Sequence, residues 1–179
     1  MDSLMKINIS RLSDGEHFYT FIVKPSDLEL EEKRFNKPVY VEAKLEKSKR
    51  QFYLKANVYT VGRFQCDRCV EDFDMVLENS YNMYYVYDEE ESKKYEPEEV
   101  VVITPETNEI DISDDVRQMV LLSVPMKLLC YEECLGLCPK CGKNLNFEVC
   151  TCKVEEIDPR WAPLLKLMES ENLGKESEN

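Results

Sequence analysis

From Val39 to Leu45 the apolar positions Val39, Val41, Ala43 and Leu45 alternate with Tyr40, Glu42 and Lys44, the two-residue period of a half-buried strand. After a polar break the alternation resumes with Phe52, Leu54, Ala56 and Val58 on one face and Tyr53, Lys55, Asn57 and Tyr59 on the other. Phe73, Met75 and Leu77, then Tyr81, Met83, Tyr85 and Tyr87, carry it further. These runs predict an antiparallel meander, preceded by strands over Lys6 to Ile9 and His17 to Val23. The polar stretch Pro25 to Pro38 between them fits either a short helix or a loop, and Asp88 to Glu99, with seven acids against two lysines, reads as a solvated excursion.

The period changes after Asp111. Ile112, Val116, Met119, Val120 and Val124 fall at helical spacing, Asp111 or Ser113 can cap the amino end, and Pro125 stops the helix. Asp114 and Asp115 in the first turn suit the helix dipole. A second helical stripe, Trp161, Leu164, Leu165 and Met168, predicts a short terminal helix from Pro159 to Leu173. The expected fold is α+β: an antiparallel meander or partial barrel with one core helix over residues 111–124, followed by a cysteine-rich zinc-knuckle segment ending in a short helix. The corresponding division is a β-rich domain over residues 1–129 and a metal-binding segment over 130–179.

A chain of 179 residues buries a core without disulfide staples. The start MDSLMKINIS has neither the basic nor the apolar region of a secretory signal, and no apolar run approaches membrane-spanning length, so a cytoplasmic location is expected. Thiols stay reduced there, and closely spaced cysteines read as metal ligands or redox groups.

The eight cysteines stand at Cys66, Cys69, Cys130, Cys134, Cys138, Cys141, Cys150 and Cys152. Two thiolates three residues apart can bite one zinc ion. In Cys138-Pro139-Lys140-Cys141-Gly142 the glycine permits the positive φ that turns backbone N–H groups toward sulfur. Cys150 and Cys152, close in the chain, complete that site; Cys66 and Cys69 then share the other with Cys130 and Cys134, a division favoured over swapped pairings. The competing reading is a redox or metal-handling protein that works through its CxxC pairs. A strand, however, follows Cys69, so no helix amino terminus is there to activate a thiol. Catalytic zinc ordinarily uses histidine or carboxylate with water, and the one histidine, His17, lies far from the cysteines in the chain. No phosphate loop, dinucleotide turn or nucleophile elbow is present, so a non-enzymatic role with no small-molecule substrate is expected.

The net charge is −13, and since each Zn²⁺ held by four thiolates adds −2, two such sites deepen it to about −17. A field of that sign opposes phosphate backbones, so contact with RNA must be local or pass through a basic protein partner. One basic cluster, Lys44, Lys47, Lys49, Arg50 and Lys55 with Phe52 and Tyr53 beside it, is the candidate RNA contact, by phosphate pairing and stacking. The opposing reading is that its lysines guard a hairpin edge.

Taken in order, CDRC in a strand turn, DISDDVRQMVLLSVPMKLLC, LCPKCGKNLN, CTC and DPRWAPLLKL resemble the YceD family of large ribosomal RNA subunit accumulation proteins, over roughly Gly62 to Met168. The resemblance implies a non-enzymatic role in synthesis, processing or stability of 23S ribosomal RNA and in large-subunit biogenesis. Its implied partners are a ribosomal RNA precursor, a basic ribosomal protein, or both. The cysteines match the family's metal-ligand-like positions; the basic tip is inferred from this chain alone.

Overall fold

The computed structural model describes residues 5–152. The terminal helix expected over residues 159–173 lies outside them. The chain forms two compact units, Met1–Gly136 and Leu137–Asn179. Cys130 and Cys134, assigned above to the metal-binding segment, thus belong with the β-rich unit.

Within the first unit the strands are β1 Lys6–Asn8, β2 Gly15–Val23, β3 Val39–Lys47, β4 Gln51–Gln65, β5 Asp72–Val86, β6 Val100–Val102 and β7 Glu109–Asp111, with helices α1 Glu89–Ser92 and α2 Ser113–Leu122. Strands β2 to β5 follow one another in one sheet, each antiparallel to the next, and β6 joins β5 in parallel. Among the described residues the sheet is open and mixed, with β2 and β6 at its edges, and it does not close into a barrel. Strand β1 does not extend it; it pairs with β7 in a separate two-stranded sheet.

The alternation read from the sequence sets the faces. Val39, Val41, Ala43 and Leu45 of β3 and Phe52, Leu54, Ala56 and Val58 of β4 are all buried. Their cross-strand register, Val41 opposite Val58 and Leu45 opposite Leu54, keeps one apolar face continuous. Three pieces cover it. Helix α2 contributes Val116 and Val120 and packs on β4 and β5; β1 and β7 contribute Ile7 and Ile110; and the segment after β2 contributes Leu28, Leu30 and Phe35. That last segment, left open between helix and loop, is a single 3₁₀ turn Pro25–Leu28 followed by irregular chain. Asp111 Oδ1 accepts from the Ser113 N–H at 3.0 Å, satisfying one of the unpaired donors at the start of α2.

Strands β4 and β5 outrun β3, whose pairing with β4 ends at Tyr40 opposite Tyr59. The exposed edge of the extension is closed by the Arg63 N–H donating to the Arg34 carbonyl at 2.7 Å, and by Phe64 set edge-on to Phe35 at 6.2 Å.

The Asp88 to Glu99 stretch departs from expectation. It contains α1 and a 3₁₀ turn at Pro97–Glu99, and Tyr95 fastens it to the sheet. The Tyr95 ring stacks on Tyr84 at 4.1 Å, and its hydroxyl donates to Gln51 Oε1 at 2.8 Å. One aromatic among seven acids outweighs the polar composition.

Candidate metal centres

The β4–β5 turn is the first knuckle. The Cys66 N–H donates to the Glu71 carbonyl and the Val70 N–H to the Cys66 carbonyl, both at 2.9 Å, folding CDRC back on itself. To close this turn Val70 adopts φ 62°, while Gly142 holds φ 71° at the matching place after Cys141. A β-branched residue in that region is strained by about 1–2 kcal/mol, and Val70 is half exposed, so it gains little burial in return. Val70→Gly is therefore expected to raise the thermal unfolding midpoint by about 1–3 °C, after allowing for the added chain entropy of glycine. A lower midpoint would mean that Val70 is not strained.

Opposite the knuckle, the chain after α2 is drawn in by four hydrogen bonds. The Asp67 N–H donates to the Leu128 carbonyl at 2.8 Å, and the Leu128 N–H donates to Asp67 Oδ2 at 2.7 Å. Arg68 Nη1 donates to the carbonyls of Cys134 at 2.7 Å and Glu132 at 3.3 Å. Gly136, at φ 77°, allows close approach: a Cβ there would lie 2.9 Å from the Arg68 carbonyl oxygen. Asp67, Arg68 and Gly136 were not among the expected site residues, although a charged pair between two cysteines, such as Asp67 and Arg68, faces whatever supplies the remaining ligands.

This clamp gathers Cys66, Cys69, Cys130 and Cys134, with Cys66 Sγ 3.8 Å from Cys134 Sγ and Cys69 Sγ 3.6 Å from Cys130 Sγ. In the second unit, Cys138, Cys141, Cys150 and Cys152 form another group, with Cys150 Sγ 3.3 Å from Cys138 Sγ and 3.6 Å from Cys141 Sγ. There the Gly142 N–H donates to the Cys138 carbonyl at 2.9 Å and the Cys138 N–H to the Lys143 carbonyl at 2.8 Å.

Within each group all four sulfurs lie within 4.8 Å of one another. Tetrahedral Zn–S bonds near 2.3 Å separate sulfurs by about 3.8 Å, so both groups can hold a metal ion. The first is almost wholly buried, with only Cys130 partly open; in the second, Cys141 and Cys152 are exposed.

The thiols differ in acidity within each group. Burial opposes ionisation of Cys66, but the N–H groups of Cys69, Cys130 and Arg68 together bring it down to about 6. The N–H groups of Cys141 and Lys140 do the same for Cys138, also to about 6. Burial, then hydrogen bonding to Cys134 and Cys66, pushes Cys130 up to about 12, and the Cys150 and Cys141 thiols push Cys152 up to about 12. One thiolate in each group thus sits in a cradle of donors, and its charge opposes a second. A divalent cation removes that opposition.

The basic tip is arranged differently from expectation. Phe52 is 1% exposed and turned into the core, so it offers no face for stacking on RNA; the alternation that places Leu54 inside places Phe52 there too. Lys44 pairs with Glu16 at 2.6 Å, Lys47 Nζ donates to the Leu12 carbonyl at 2.6 Å, and Arg50 lies 3.9 Å from Glu91 on α1. Tyr53 packs on Tyr84 at 4.8 Å. Lys44 and Lys55 are cross-strand partners and, with Tyr53, share the outward face; Lys49 lies exposed within the β3–β4 turn.

A profile of the family described as "Large ribosomal RNA subunit accumulation protein YceD" matches residues 54–168, well over half of the chain and all eight cysteines. The chain belongs to the YceD family. It is 29% identical over 157 residues to the chloroplastic YCED homolog 1 of Arabidopsis thaliana, covering 74% of this chain and 49% of that protein. An uncharacterised protein of Mycobacterium tuberculosis is 32% identical over 114 residues, covering 63% of this chain and 53% of the relative. An uncharacterised protein of Bacillus subtilis is 25% identical over 136 residues, covering 75% and 77%. This YceD-family chain thus spans about half the length of the first two relatives. No solved structure matches it. Among the described residues no helix is long and apolar enough to cross a membrane. The YceD family is named as an accumulation factor rather than as an enzyme.

Proposed function

We propose that the protein is a non-enzymatic factor in the accumulation of 23S ribosomal RNA and the biogenesis of the large ribosomal subunit, acting in the cytoplasm, with a structural zinc ion in each cysteine group. The observation that carries this reading is the family match over residues 54–168, which takes in most of β4, all of β5 and α2, and both sulfur groups. All-sulfur ligation favours zinc among the metals of a reducing compartment and leaves no open position for catalysis. Zinc would tie the β4–β5 turn to the chain after α2 and fix the second unit's fold; it supplies cross-linking, not reactivity.

Crosslinked recovery from cells, resolved for both RNA and protein, tests the reading. Large-subunit precursors are the expected catch, and their absence would remove the assembly role. Metal analysis with thiol titration separates it from the redox or metal-handling alternative: two tightly held zinc ions and unreactive thiols are expected.

The RNA contact we assign to the β3–β4 turn, through Lys47, Lys49 and Arg50, with Lys44, Lys55 and Tyr53 on the outward face. Changing Lys47, Lys49 and Arg50 together to Glu is expected to cost no more than about 1–2 kcal/mol of stability, because Lys49 and Arg50 are exposed and contribute little while Lys47 gives up its hydrogen bond to the Leu12 carbonyl. Precursor recovery should fall several-fold, and in the parent it should weaken steeply with salt. Unchanged recovery would shift the contact to a basic ribosomal protein docked on an acidic face.

A further inference from the structure

Among the described residues β2 is hydrogen-bonded to a neighbouring strand on one side only, to β3. Its other edge presents a row of backbone N–H and C=O groups over nine residues, GEHFYTFIV. Proteins ordinarily blunt such an edge with proline, lysine, a bulge or a very short strand. Strand β2 has none of these: after Gly15 it holds no proline and no lysine, and its pairing with β3 runs without interruption from Gly15 opposite Lys47 to Val23 opposite Val39. The opposite edge, β6, is three residues long.

The side chains along this edge are apolar and open. Phe18 is 73% exposed and Ile22 64% exposed, and the half-exposed Tyr40 stands directly across from Ile22 on β3. Among the described residues neither Phe18 nor Ile22 contributes to the core, so burial against those residues does not explain them. Beyond the strand's carboxyl end lies an open hollow of about 340 Å³, lined by Lys24, Pro25, Ser26, Glu32, Phe35, Asn36 and Pro38.

Charge selects the occupant. On the outward face of β2 and β3, Glu46 stands across from Glu16 and Glu42 across from Thr20, all exposed but Lys44, the one basic residue of that face, and the exposed Asp14 lies just before the strand. Lys44, near the Phe18 ring at 5.9 Å, is neutralised by Glu16. A second copy of this chain, with the same acids on that face and a net charge of −13, would meet like charge.

We propose that the free edge of β2 takes up an extended, lysine- or arginine-rich segment of a protein partner by strand addition. Main-chain hydrogen bonds to β2 supply affinity; alternate apolar side chains cover Phe18 and Ile22; and the basic residues between and beyond them meet the flanking acids. This goes beyond the proposed function, because it uses neither the sulfur groups nor the β3–β4 turn.

The test uses the full chain and two nine-residue synthetic peptides, one alternating valine with lysine and one alternating valine with glutamate. Binding is read by fluorescence anisotropy and by amide hydrogen exchange. The valine–lysine peptide is expected to bind and to slow exchange within Gly15–Val23, and the valine–glutamate peptide to do neither. Phe18→Thr with Ile22→Thr, which keeps the charge and touches only exposed side chains, should weaken binding about tenfold, the loss of roughly 1.4 kcal/mol of apolar contact. A Lys49→Glu, Arg50→Glu variant, which leaves Lys47 in place opposite Gly15, should bind the peptide like the parent, so failure here is distinguishable from failure of the RNA reading. Three results would overturn the proposal: peptide binding unchanged in the double threonine variant, a dimer of the parent that this variant dissolves, or edge protection by a single-stranded RNA oligonucleotide and not by the peptide.

Discussion

With metal supplied, Cys66→Ser is expected to lower the unfolding midpoint by roughly 10 °C or more, and His17→Gln to leave it within about 2 °C. Cys66 is 1% exposed, and its sulfur lies 3.8 Å from that of Cys134, which belongs to chain beyond α2. Removing one sulfur leaves three thiols that bind metal far more weakly, and a structural metal's binding energy is folding energy. The hydrogen bonds of Asp67 and Arg68 persist, so the knuckle loosens without losing every tie to Leu128 and Cys134. His17 contributes one hydrogen bond, Nε2 to the Ser13 carbonyl at 2.9 Å, which glutamine can replace. Thermal melts with metal analysis decide the matter. Equal midpoints would mean that the first sulfur group carries no metal or adds nothing to stability.

Phe52→Ala is expected to cost about 3–5 kcal/mol in denaturant unfolding, the range for emptying a buried aromatic site. The side chain is fully enclosed, lies under Lys47 Nζ at 5.6 Å and meets Tyr87 edge-on at 6.2 Å. Tyr53→Ala, one residue on and half-buried on the opposite face, should cost about 1 kcal/mol by comparison, mostly through contact with Tyr84. Comparable costs for the two variants would contradict the burial of Phe52.

Period-two alternation made the sheet legible: Val39 to Leu45 and Phe52 to Val58 sit on the buried face they were expected to occupy. The helix was legible for the same kind of reason, with Val116 and Val120 four residues apart and Pro125 close behind. Pairing between distant segments was not. Nothing local tells β1 to pair with β7, about a hundred residues away, or β6 to run parallel to β5. Phe52 was assigned to the RNA contact because it stands beside Lys49 and Arg50 in the chain, although its own alternation already placed it inside. The sulfur grouping was readable because proximity in the chain pairs Cys138 with Cys150, leaving the remaining four together. The bonds that bring Asp67 and Arg68 to the far loop depend on tertiary approach and leave no periodic trace.

The span between ligands sets an order in which the two sulfur groups can assemble. Cys138 and Cys150 are 12 residues apart, whereas Cys66 and Cys134 are 68 apart. Closing the longer loop costs about 1.5 kcal/mol more in chain entropy, equivalent to about a tenfold handicap, unless the intervening strands and α2 have already brought the ends together. During synthesis at 5–20 residues per second, Cys66 and Cys69 wait several seconds for Cys130 to follow them. The second group can therefore capture metal as a local event, and the first only once β5 and α2 have formed, so its filling reports that the sheet is complete.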